Sequence, residues 1–276
     1  MSNSVEDHYS RTGIVARILA AIPFSRDGDE PLTADRLYPF DQFHGRELLA
    51  TRDHTALLAP QTGDHVLDIG AGIGGPARYI AATYGARVTG VDLTARFVEA
   101  ANELTALCGL GQLATFVQAD AAQLPFDDNQ FDAAICFYVG MNLPDEAAVL
   151  AEARRVLKPG GRLVWTEVVR GTGDPQYPLP WATSAATSHL LERDELLGMM
   201  QTAGLKLDEA RDETRDHLDL AQKIKQSGAQ PSALRVQANA VVLGADFGER
   251  RKNYIRSLAS GAIASLCLQA HKPAAA

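Results

Sequence analysis

Asp68-Ile69-Gly70-Ala71-Gly72-Ile73-Gly74-Gly75-Pro76 is the stretch on which the fold turns. Just before it, His65-Val66-Leu67 completes a short apolar, β-branched run that ends directly in glycines. Such a run reads as a buried strand, and Pro76, suited to a first helical position, opens a helix through Tyr84. Glycines at a strand-to-helix turn permit tight curvature and let a ligand press against bare backbone. Gly70, Gly72 and Gly75 also satisfy G-x-G-x-x-G, so a dinucleotide with its pyrophosphate at the helix N-terminus is one candidate ligand.

Working outward, strand-like and helix-like periods alternate from residue 64 to 170. Arg87-Val88-Thr89-Gly90-Val91-Asp92 is a second strand ending on an acid, and behind it Phe97, Ala101, Leu104 and Cys108 recur at helical spacing. Residues 115–118 form a third strand, followed by a loop over 120–130. The apolar run 131–139 suits a central strand covered on both faces. Val149, Leu150, Ala153, Val156 and Leu157 share a helix face that stops at Lys158-Pro159-Gly160-Gly161, and 162–169 is a fifth strand. A helix over 193–203 and strands over 205–210 and 263–269 complete the pattern. The fold class is therefore α/β, a doubly wound, mostly parallel seven-stranded sheet. Residues 1–60 read as a helical cap, 61–213 as the ligand-binding core, 214–247 as a second helical cap insertion, and 248–276 as the final helix and strand. The Pro/Gly-rich loop 171–181 reads as a lid.

The chain has 276 residues, 46% hydrophobic and 22% charged, which excludes wholesale disorder and supplies a large core. Acidic residues outnumber basic ones 34 to 26, for a net charge of −8. A surface of that sign repels phosphate backbones and anionic lipid, which points away from nucleic acid and membrane as partners. The run Arg250-Arg251-Lys252 with Arg256 reads as a solvated helix face. Cys108, Cys136 and Cys267 lack metal or disulfide spacing, so they read as three buried thiols in a reducing, cytoplasmic compartment with no metal. No apolar run approaches the roughly 18 residues that cross a membrane.

Three features weigh on the ligand. Asp68 stands two residues before the first glycine, where a carboxylate crowds a pyrophosphate but suits a ligand with positive charge. Asp92 can accept hydrogen bonds from two ribose hydroxyls, which fits either ligand. Asp120-Ala121, with Leu124-Pro125-Phe126 and Phe131-Asp132 behind, puts an acid and a backbone amide where an adenine edge can be read.

Together these residues resemble the class I methyltransferases that use S-adenosylmethionine, in which V-L-D-x-G-x-G-x-G, the acid ending strand two, D-A…L-P-F…F-D and L-K-P-G-G occur in this order. The resemblance covers residues 64 to 170 and implies a Rossmann-like core. It implies that Asp68, Gly70 and Gly72 cradle the methionine part, that Asp92 holds the ribose, and that Leu93 flanks the adenine while Asp120 and Ala121 meet its edge. Tyr9 and Gln42 from the cap, and Phe137, are further expected cofactor contacts. S-adenosylhomocysteine is the implied product.

Most of the chain also resembles a bacterial group related to sarcosine and dimethylglycine N-methyltransferases, through His8-Tyr9, Asp41-Gln42-Phe43-His44, Met141-Asn142 and Pro180-Trp181. It departs from that group where Arg46-Glu47 replace a glycine pair and where Phe137-Tyr138-Val139-Gly140 offers no histidine. The resemblance implies a small-molecule acceptor, an amine nitrogen on an amino-acid-like substrate, with a hydroxyl or carbon acceptor as the alternative. A homodimer stays open. A nicotinamide-dependent oxidoreductase and a non-catalytic cofactor-binding protein are the rival classes.

In-line displacement from a sulfonium draws most of its rate from orientation in a dry site, although a hydroxyl acceptor needs a base. His44 and Tyr138 are the candidate catalytic and substrate-binding residues, with Met141 and Trp181 lining the acceptor pocket. Tyr138 ends the central strand, where open α/β sheets bind ligands. Trp181 suits a methylated amine, and Arg46 or Arg52 would serve a substrate carboxylate.

Overall fold

The computed structural model describes residues 13–22, 32–228, 236, 240 and 242–274. Among the described residues, three helices, α1 (Gly13–Ala20), α2 (Ala34–Asp41) and α3 (Leu48–Leu58), precede the sheet. The alternating core follows as β1 (His65–Ile69), α4 (Gly75–Tyr84), β2 (Arg87–Asp92), α5 (Ala95–Leu107), β3 (Ala114–Gln118), β4 (Phe131–Phe137), α6 (Glu146–Val156) and β5 (Leu157–Arg170). Then come α7 (Arg193–Thr202), β6 (Lys206–Asp212), α8 (Thr214–Ser227), α9 (Phe247–Ala259) and β7 (Ile263–His271).

The seven strands form one sheet in the order β3-β2-β1-β4-β5-β7-β6. Strands β1 to β5 are parallel, and β7 runs antiparallel between β5 and β6. The chain winds outward from β1 to β3 and then crosses to β4. Its direction thus reverses between β1 and β4, the crevice where open α/β sheets take ligands.

Alternation along each strand feeds two cores. Leu67, Ile69 and Trp165 pack with Leu150, Val156 and Leu196 on one face; Val66, Ile135 and Val164 pack with Ala77, Ile80 and Leu58 on the other. Covering both faces explains why β1 and β4 read as nearly unbroken apolar runs. A third cluster seats Ile14 and Ile18 of α1 and Leu37 and Phe40 of α2 against Leu104 of α5 and Ile73 of the glycine turn. The two helices before α3 therefore bear directly on the ligand crevice.

Several boundaries differ from the sequence reading, each for a local reason. Strand β4 stops at Phe137 because Tyr138 takes a left-handed backbone, φ 59°, and turns the chain out of the sheet. Strand β5 begins at Leu157 rather than residue 162; its pairing with β4 shifts register between Phe131 and Ala133 and absorbs Pro159-Gly160-Gly161 as an irregularity. Cys136 and Cys267 are buried free thiols, whereas Cys108 is only partly buried, because it caps the C-terminal end of α5. Among the described residues no helix is long and apolar enough to cross a membrane.

Candidate active site

The turn after β1 is drawn tight by its own backbone amides, which bond to the end of β2 and within the turn. Gly70 and Gly72 both have positive φ, 74° and 54°, conformations costly for any residue with a Cβ. A Cβ on Gly70 would collide with Val139 Cγ2, whereas one on Gly72 would meet nothing within 4 Å, so the second glycine faces open space. The amides of Gly70 and Ala71 both donate to the carbonyl of Val91, which ties the turn to the end of β2.

Asp92 organises this crevice from its rim. Its Oδ2 accepts from Gly72 N at 2.9 Å and its Oδ1 from Thr94 N at 2.8 Å, leaving the second lone pair of each oxygen for a ligand diol. The tip of β3 joins it, since Ala119 N donates to the Asp92 carbonyl and Gln118 Nε2 to the Leu93 carbonyl. Asp120 is exposed and accepts from Ala122 N, Ala121 is partly buried, and the Leu93 side chain stands 69% exposed on the same rim. Asp92, Leu93 and the tip of β3 that carries Asp120 thus share one rim.

Asp68 is buried, and its Oδ2 has no hydrogen-bond partner. Burial, with the Asp92 charge second, pushes its carboxyl up to about 7. An orphaned buried carboxylate oxygen is costly unless a donor arrives. The methionine ammonium of S-adenosylmethionine is such a donor, so these residues fit that cofactor, and a pyrophosphate here would be repelled.

Gln42 is buried, donates to Asp41 Oδ1 and accepts from Thr51 Oγ1 at 2.5 Å, and its Nε2 lies against Gly75 at the start of α4. Phe137 is buried against His54 and His44, ring centroids 5.2 and 6.0 Å away, and Val139 is the side chain that leans on Gly70. Tyr9 and His8 lie outside the described residues.

On the acceptor side, His44 stacks on Tyr138 with centroids 5.7 Å apart, and Thr51 Oγ1 is 3.0 Å from its Nε2. Burial, then His54, lowers the His44 pKa to about 3, so the ring is neutral at pH 7. Tyr138 shares one apolar cluster with Met141, Trp181 and Tyr254. Trp181 Nε1 donates to Ser188 Oγ and its ring meets Tyr254 edge-on, which anchors the lid loop. Gln176 N donates to Ser257 Oγ and Asn253 Nδ2 donates to the Pro178 carbonyl, so α9 holds that loop down. Met141 is buried, and its amide donates to Glu167 Oε1. Burial, then Glu146, pushes the Glu167 carboxyl well above the usual carboxylate range, while the amides of Met141 and Val168 that donate to it fix this turn.

The two arginines considered for a substrate carboxylate are otherwise placed. Arg46 is engaged by Asp53 and lies 3.3 Å from Glu213, whereas Arg52 is exposed on α3. Arg46 and Glu47 take the left-handed conformations, φ 62° and 51°, that a glycine pair would hold more easily. Glu213 also meets His54 Nε2 at 2.8 Å and Arg211; burial opposes its charge, but His54 and Arg211 overcome that and hold its carboxyl at about 2. His54, Glu213 and Cys267 lie within 4.8 Å, yet the cations already on Glu213 close that group as an ion-pair network.

Sequence reading missed Arg78, which sits fully buried on α4. It donates to Asp41 Oδ2 at 2.9 Å, to the Ile73 carbonyl at 2.7 Å and to Thr105 Oγ1 at 3.0 Å. One guanidinium thereby joins α2, the glycine turn and α5. It missed His217 as well, since a histidine on a polar helix carries no local signal.

The family model described as a methyltransferase domain matches residues 67–165. The O-methyltransferase cnsE of Penicillium expansum is 30% identical over 202 residues, covering 72% of this chain and 68% of that protein. The methyltransferase GfsG of Streptomyces halstedii is 36% identical over 159 residues, and this chain spans only 57% of its length. A solved structure of a putative sarcosine dimethylglycine methyltransferase from Galdieria sulphuraria superposes with a TM-score of 0.65 at 21% identity, covering 82% of this chain and 86% of that one. At that identity the likeness speaks for the fold alone.

Proposed function

Because the chain belongs to the methyltransferase-domain family and is an S-adenosylmethionine-dependent methyltransferase, we propose that its acceptor is a small molecule bearing a hydroxyl, bound between the end of β4 and the cap. S-adenosylmethionine, when bound, supplies a methyl group on a positively charged sulfonium. The observation that assigns residues to it is the buried, unpartnered Oδ2 of Asp68. Asp68 accepts the ammonium, Gly70 and Gly72 leave room for the methionine part, and Asp92 takes the ribose diol. Leu93, Asp120 and Ala121 bound the adenine.

Two features of the acceptor side favour a hydroxyl over an amino-acid-like amine. Arg46, a candidate cation for a carboxylate, is engaged by Asp53 and Glu213. Tyr138, by contrast, is hydrogen-bonded to a neutral histidine, which can serve a proton-bearing acceptor. The O-methyltransferase among the relatives agrees with this. An amine remains the second reading, supported by the aromatic pair Trp181 and Tyr254, which suits a methylated cation.

Calorimetry tests the cofactor half: S-adenosylhomocysteine should bind, and a nicotinamide dinucleotide should not. Transfer of label from methyl-labelled cofactor to phenols, alcohols and amines tests the other half. Label on amines alone refutes the hydroxyl reading.

A further inference from the structure

The phenol of Tyr138 is held in a closed triangle. Its Oη lies 3.1 Å from His217 Nε2 and 3.1 Å from Ser265 Oγ, and those two atoms are 3.2 Å apart. The corners come from the end of β4, from α8 and from β7, elements distant in sequence. His217 is 3% exposed, and its Nδ1 is 3.2 Å from the Oη of Tyr254 on α9.

Burial, then the charge of Arg46, lowers the His217 pKa to about 4, with Glu213 opposing and His54 adding to the effect. The ring is neutral at pH 7, with one donor and one acceptor nitrogen. In the tautomer with its proton on Nδ1, the ring donates to Tyr254 and the Nε2 lone pair faces Tyr138. Tyr138 itself is pushed by burial, with Tyr254 and Glu213 adding, well above the usual tyrosine range. Its phenolate is therefore unavailable, and the phenol can take a proton only by giving one up in the same step.

We propose that His217 is a positioning residue and the terminal proton acceptor of methyl transfer, acting through Tyr138. As the acceptor oxygen attacks, its proton passes to Tyr138 Oη while the phenol proton passes to His217 Nε2. The new C–O bond forms as the C–S bond breaks, the electron pair of that bond stays on sulfur, and the imidazolium returns its proton to solvent. This rests on the hydroxyl reading above.

The test uses the full chain, labelled S-adenosylmethionine and, at about pH 8.5, three probes: phenol, still protonated there; 4-nitrophenol, largely ionised there; and benzylamine. His217→Gln and Tyr138→Phe should lose about 100-fold in kcat on phenol, within the usual range for general-base catalysis, and only a few-fold on 4-nitrophenol. With His217→Gln, kcat on phenol should climb as pH rises, whereas the unaltered enzyme stays flat. Equal losses on both phenols overturn the relay. Methylation of benzylamine alone overturns the hydroxyl reading beneath it. Ring-nitrogen NMR of histidine-labelled enzyme needs no acceptor: the signal lost in His217→Gln should report an unprotonated Nε2 at neutral pH, and a proton found there overturns the proposal.

Discussion

Replacing Asp68 with asparagine should make the ligand-free protein more stable while making it a poorer enzyme. The folded carboxyl is raised from 3.8 to about 7, chiefly by burial and then by Asp92. A raised carboxylate binds its proton more tightly in the folded than in the unfolded chain. Its contribution is fully present below the unfolded value and is lost as pH rises through the folded one. At about 1.4 kcal/mol per unit, the interval from 3.8 to about 7 corresponds to about 4 kcal/mol of lost stability above neutrality. An asparagine side chain never ionises, so Asp68→Asn avoids that loss. Guanidinium unfolding of both proteins without ligand should show their stability difference widening by about 3 kcal/mol in favour of the variant from about pH 5 to about pH 8. Saturating S-adenosylhomocysteine should reverse the order, because only the carboxylate answers the ammonium and binding stabilises the folded state. A difference that does not change with pH, or equal affinity of the two proteins for S-adenosylhomocysteine, would refute the assignment of Asp68.

Asp92→Ala should weaken S-adenosylhomocysteine binding by about 1–3 kcal/mol, read by calorimetry, since it removes both the diol acceptors and the two bonds that shape the crevice. Gly70→Ala should lower the midpoint of thermal unfolding, because its Cβ meets Val139, whereas Gly72→Ala should cost less stability and act mainly on cofactor affinity; the reverse order would contradict the geometry. Arg78→Met leaves Asp41 buried without its counter-charge and should cost about 3–5 kcal/mol in chemical denaturation, with much of it recovered in an Asp41→Asn, Arg78→Met double variant. Glu213, held at about 2, stabilises the fold above its ordinary value of 4.5, and that stability is lost as pH falls toward about 2. Glu213→Gln should therefore flatten the acid limb of a stability profile.

The crevice beside the glycine turn was legible from sequence because each of its parts is local. A strand, a glycine turn and a helix start lie within a dozen residues, and Asp92 and Asp120 end the next two strands. Strand period and parallel winding then deliver all three acids to one edge of the sheet without any long-range information. Even the departure at Arg46-Glu47 was visible as a break in pattern, although only the structure shows that both residues keep the left-handed backbone suited to glycine. The acceptor side was far less readable. Tyr138 could be placed at a strand end, but its turn out of the sheet, which shortens β4, brings it against His44, α8 and β7, none of which is near it in sequence.

By itself, the sequence determined the sheet, its switch point and the acids gathered beside it, since hydrophobic period and glycine placement act over one or two elements. Tertiary structure alone decided what surrounds Tyr138. Arg78 joins residues 41 and 105, and the Tyr138 triangle joins residues 138, 217 and 265. Polar contacts of that span have no period to announce them; they exist because the folded chain buries groups that must then find partners.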